Sequence, residues 1–88
     1  MLPEYIITIC KKDNESNSYP IISHDYSYNS EKDLLADWEK LIKAPTDFGM
    51  MLDVNYMVQA SIREASPYNL PGRLHKILKV KYFETATT

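Results

Sequence analysis

Leu52 to Arg63 reads LDVNYMVQASIR. Leu52, Val54, Tyr56, Val58, Ala60 and Ile62 alternate with Asp53, Asn55, Met57, Gln59, Ser61 and Arg63. All six even positions are apolar and five of the six odd ones are polar. That period of two belongs to a half-buried strand, not to a helix. Whatever fold the chain adopts must therefore contain a sheet with one face buried here.

On the C-terminal side, SPYNLPG (66–72) reads as a turn or loop, and RLHKILKVKYFE (73–84) as a last strand. Simple alternation places Leu74, Leu78, Val80 and Tyr82 on one face. It places Ile77, Lys79, Lys81 and Phe83 on the other. TATT (85–88) is expected to be a loose tail, leaving residues 1–84 as a single domain.

On the N-terminal side, EYIITICK (4–11) is rich in β-branched residues and apolar on both faces, as a central strand is. KDNESNS (12–18) is a polar hairpin loop. SYPIISHDYSY (18–28) is a second strand. Its Pro20 cannot donate to a ladder, which puts this strand at an edge beside the first. If that hairpin closes around residues 14–17, Cys10 falls opposite Pro20 and His24 opposite Ile6.

Ser30 and Asp33 then form most of a capping box, and Glu31 and Asp33 suit the positive end of a helix. Leu34, Leu35, Trp38, Leu41 and Ile42 recur at three and four residues, so Glu31 to Lys43 is an amphipathic helix that Pro45 stops. The fold class is α+β, in the order β-β-α-β-β. It is a four-stranded, mostly antiparallel sheet with one helix packed on one face.

Eighty-eight residues make one domain with one core. One cysteine, Cys10, excludes an internal disulfide framework, and a reduced, cytoplasmic setting (of the host cell, if the source is viral) is expected. The apolar run Tyr5–Cys10 is too short to span a bilayer, and MLPEY has no signal-peptide character, so no membrane role is expected. Net charge is −2 but unevenly spread. From Asp13 to Glu39 there are seven acids against Lys32 alone, whereas Arg73 to Lys81 holds four bases, His75 and no acid.

Few residues carry chemistry. His24 and Asp25 are adjacent on a strand and point to opposite faces, short of the three or four convergent ligands a zinc site needs. Cys10 and His24 would sit roughly 13 Å apart in the expected register, at about 3.3 Å per residue, too far for nucleophilic catalysis. Gly49 and Gly72 are the only glycines, and neither sits in a phosphate-binding pattern. The sequence points to no enzyme, no cofactor and no metal.

Two surfaces are candidates for meeting another protein. Met57, Ile77, Lys79, Lys81 and Phe83 are expected on an uncovered outer sheet face, as a partner or homodimer contact. Asp25, Tyr26, Tyr28, Glu31, Asp37 and Glu39 form an acidic stretch that would suit a basic or nucleic-acid-binding partner by imitating a phosphate backbone. Weak nucleic-acid binding through the basic last strand is an alternative, disfavoured because Arg73 and Lys76 need not share a face with Lys79 and Lys81 and because the net charge is negative. No family motif is present. By class alone, the chain resembles the small accessory inhibitors that phages and mobile elements encode.

Overall fold

A computed structural model describes residues 3–13, 15, 18–64 and 74–84. The order is β1 (Pro3–Asp13), β2 (Ser18–Tyr28), α1 (Glu31–Lys43), a 3₁₀ turn (Pro45–Phe48), β3 (Tyr56–Glu64) and β4 (Leu74–Phe83). The strands form one curled antiparallel sheet in the order β2-β1-β3-β4. The two-faced β1 is inside and the proline-bearing β2 is at an edge, as their sequences require. The SPYNLPG segment, Arg73 and the 85–88 tail lie outside the described residues.

The helix begins and ends where its caps are. Ser30 Oγ accepts a hydrogen bond from the Asp33 amide at 3.2 Å. Glu31 and Asp33 occupy the first turn, and Lys40 and Lys43 the last. The Ala44 amide donates to the Lys40 carbonyl, Pro45 opens the 3₁₀ turn, and Gly49 closes it at φ 79°. Leu34, Trp38 and Leu41 are the buried stripe that the heptad spacing implies.

Strand three differs from its sequence reading at one end. Leu52 to Asn55 is a turn and β3 starts at Tyr56. The alternation runs four residues beyond the strand, and Leu52, the first apolar member, is 80% exposed. From Tyr56 to Ala60 the pattern holds: Tyr56, Val58 and Ala60 are buried and Met57 and Gln59 are not; beyond it the pattern breaks, with Ser61 fully buried and Ile62 only partly.

Cross-strand pairing fixes the two faces, because residues directly opposite share a side. Three rows face the helix: Tyr28–Tyr5–Ile62–Lys76, Tyr26–Ile7–Ala60–Lys79 and His24–Ile9–Val58–Lys81. Each starts on an aromatic ring and ends on a lysine, and the last two pass through the core; a further row on this side, Lys11–Tyr56–Phe83, ends on an aromatic ring. Three rows face away: Ser27–Ile6–Ser61–Ile77, Asp25–Thr8–Gln59–Val80 and Ile22–Cys10–Met57–Tyr82. The core of Ile7, Ile9, Leu34, Trp38, Leu41, Met50, Tyr56, Val58 and Ala60 fills the helix side. Among the described residues no helix is long and apolar enough to cross a membrane.

Candidate functional site

The expected outer surface is divided in two. Met57 and Ile77 do face away from the helix, but Lys79, Lys81 and Phe83 pair with Ala60, Val58 and Tyr56 and share the helix side. Two physical effects move them. The register slips between Ala60 and Ser61, so Leu78 is an extra residue, and the bulge reverses the alternation on either side of it. A helix is also only about 10 Å across, roughly two strand spacings. Packed chiefly on β1 and β2, α1 stops short of β4, whose helix-facing positions can be charged. Leu78 and Phe83 pack against the core instead of Val80 and Tyr82.

The bulge has a second consequence. The slip at Leu78 by itself brings Lys76 onto the side of Lys79 and Lys81, and a second slip, between Ile62 and Arg63, adds His75 below them. Their odd spacing of three residues would separate them on a regular strand. None of the three lysines forms an ion pair with a carboxylate of the described residues. Lys81 Nζ lies 5.6 Å from the centre of the Phe83 ring. Beside the row, Lys79 and Lys81 border an open groove whose other wall is Trp38, Glu39 and Ile42 of α1.

The face away from the helix is apolar at β4. Leu74, Ile77, Val80 and Tyr82 are between 42% and 54% exposed, and Ile22, at the other end of the Tyr82 row, is 56% exposed. Between these rims the face is partly exposed at Ile6, Thr8, Met57 and Gln59. Tyr19 on β2 and Tyr82 on β4 meet edge to face with ring centres 5.5 Å apart, although they belong to opposite edges of the sheet. The same face holds buried Cys10 and fully buried Ser61. Burial pushes the Cys10 thiol up, against a smaller opposing pull from Arg63. Desolvation, then the nearby Glu84, pushes the Tyr19 phenol up as well.

The acidic stretch is also divided. Asp25 pairs with Thr8 and faces away from the helix, whereas Tyr26 and Tyr28 face it. Tyr28 Oη donates to Asp37 Oδ2 at 2.7 Å, and Tyr26 Oη donates to the Phe48 carbonyl at 3.1 Å. These two hydroxyls tie β2 to the helix and the 3₁₀ turn, and Lys40 Nζ stands 3.8 Å from Asp37 Oδ1. Tyr26, Tyr28 and Asp37 are therefore engaged inside the fold. Glu31 and Glu39 are exposed on α1, Glu39 within the groove facing the lysines.

The expected hairpin register is shifted by two residues at Cys10, which lies opposite Ile22, and by three at His24, which lies opposite Ile9. A bulge between Ile9 and Cys10 takes up Ser23 and makes the difference. Cys10 and His24 consequently sit on opposite faces. His24 stacks near Tyr26 and bonds the Ser23 hydroxyl. Among the described residues no group of three His, Cys, Asp or Glu side chains could hold a metal ion.

One cavity went unread in the sequence. It is an apolar cleft of about 150 Å³ between the Met50–Val54 turn and the end of β4, lined by Met51, Leu52, Val54 and Phe83 among others. The period-two alternation hides it, because it runs through Leu52 and Val54 although β3 starts at Tyr56. The chain matches no protein-family model, no curated protein and no solved structure.

Proposed function

We propose that the chain is a non-enzymatic protein-binding domain that acts by covering, and so blocking, a surface of its partner. The observation that carries this reading is the row Leu74, Ile77, Val80 and Tyr82. Four large apolar side chains of one edge strand stand partly in water on a single face. Monomeric proteins seldom leave such a row open along a strand edge, because it invites pairing. The separation of Cys10 from His24 on opposite faces supports a role without catalysis. The likeness in class to small phage and mobile-element inhibitors gives the blocking role its motive.

A second copy is the less favoured occupant. Antiparallel pairing of β4 with β4 about a two-fold axis continues the sheet, with both helices on one side. Lys79 and Lys81 of the two copies would then face one another, and like charges directly opposite are destabilising. The test uses immobilised wild-type protein beside Ile77→Lys and Val80→Lys. A partner retained by the wild type and lost by both variants, with unchanged circular dichroism, is the expected result. Retention by both variants, or a dimer in sedimentation that both variants dissolve, would overturn the reading.

A further inference from the structure

We infer that the free edge of β4 accepts an extended strand of another protein in which acidic and apolar residues alternate. This rests on the protein-binding reading above and gives the partner its chemistry. Three features of one strand carry it. Among the described residues β4 pairs with β3 alone, so its other edge offers backbone donors and acceptors. Its helix side presents Lys76, Lys79 and Lys81, none paired with a carboxylate of the described residues. Its other side presents Ile77, Val80 and Tyr82.

An added strand has the same period of two, so its side chains also fall alternately on the two faces. On the helix side they meet lysines, and carboxylates complement them. On the other side they meet Val80 and Tyr82, and apolar groups complement those. The acceptor is the stretch Lys79–Phe83, where the register with β3 runs without a slip; the two bulges distort Leu74–Leu78. Glu39 on the far wall of the groove is the one acid facing the lysines there, and it favours a partner whose carboxylates stay close to β4.

Two other readings of the lysines compete. A row of bases also suits the backbone of a nucleic acid, but that ligand would leave the apolar side of the same strand unused. Lysines on an edge strand also guard against aggregation without binding anything.

The experiment compares a peptide alternating glutamate and valine with one alternating lysine and valine and with a single-stranded oligonucleotide. Each is titrated into the full chain while binding is followed by fluorescence anisotropy and amide exchange. The glutamate peptide is expected to bind with affinity that falls as salt rises, and to slow exchange at Lys79–Phe83. Charge reversal in the Lys79→Glu, Lys81→Glu variant should weaken it by about tenfold or more and improve the lysine peptide. Wild-type peptide discrimination keeps the test valid even if that variant fails to fold.

Equal binding of the two peptides overturns the inference, as does tighter binding of the oligonucleotide without slowed exchange at β4. Failure of the wild type to bind the glutamate peptide, together with self-association of a Lys79→Thr, Lys81→Thr variant, also overturns it, and makes the lysines guards. If Val80→Lys loses its partner while the wild type ignores the glutamate peptide, strand addition falls and the protein-binding reading stands.

Discussion

The Tyr28 hydroxyl donates to the Asp37 carboxylate across 2.7 Å, joining the last residue of β2 to the middle of α1. Only two residues lie between strand and helix, so the chain must reverse sharply there. This bond, with Tyr26 on Phe48, holds the helix over the β1–β2 half of the sheet and leaves β4 bare. Burial, then the bond to Asp37 and its charge, pushes the Tyr28 phenol well above the ordinary 10.0.

Tyr28→Phe should cost about 1 kcal/mol, the value of an ordinary hydrogen bond and below that of a fully buried one to a charged acceptor, because Asp37 stays partly solvated and near Lys40. The sign with pH follows from linkage. A phenol whose folded pKa is raised contributes stability that is complete below the unfolded value and lost as pH climbs above it. Urea melts at neutral pH and above pH 10 should show a smaller alkaline loss in Tyr28→Phe than in the wild type. An identical loss in both would place the alkaline transition elsewhere.

Val58 has no solvent exposure and sits beneath the helix, whereas its neighbour Met57 faces away. Val58→Asp should abolish cooperative folding, because it buries an unpaired charge worth several kcal/mol. Met57→Asp should keep the melt with a smaller loss. Equal damage in thermal melts followed by circular dichroism would contradict the face assignment.

Gly49 combines φ 79° with close approach to His24, whose ring atoms Cε1 and Nε2 would lie 2.9 Å from an added Cβ. Gly49→Ala should destabilise by about 1–2 kcal/mol, partly through the left-handed backbone and partly through the ring. His24 is exposed and its ring can move, so His24→Ala in the same chain should recover only the second part. Full recovery would mean that the backbone conformation is not the cause.

Ser61 is fully buried, and its hydroxyl has no hydrogen-bond partner among the described residues. Ser61→Ala removes an unmet polar group and should leave stability unchanged or raise it by up to about 1 kcal/mol. A clear loss in denaturant melts would reveal a partner for the hydroxyl.

Much of this architecture is legible without coordinates because it is local. The Ser30 cap, the Leu34–Trp38–Leu41 stripe and Pro45 set the helix through interactions within a few residues. The alternation from Tyr56 and the β-branched run of β1 set two strands, and Pro20 confines β2 to an edge. What tertiary structure alone decides is phase and coverage. The extra residues Ser23, His75 and Leu78 are bulges that exist only relative to a partner strand, so no pattern within one strand announces them. The bulge at Leu78 and the reach of a single helix put Lys76, Lys79 and Lys81 on the helix side. Val80 and Tyr82 face outward for the same reasons, because a face is buried by what lies across from it, and that is not written in the strand itself.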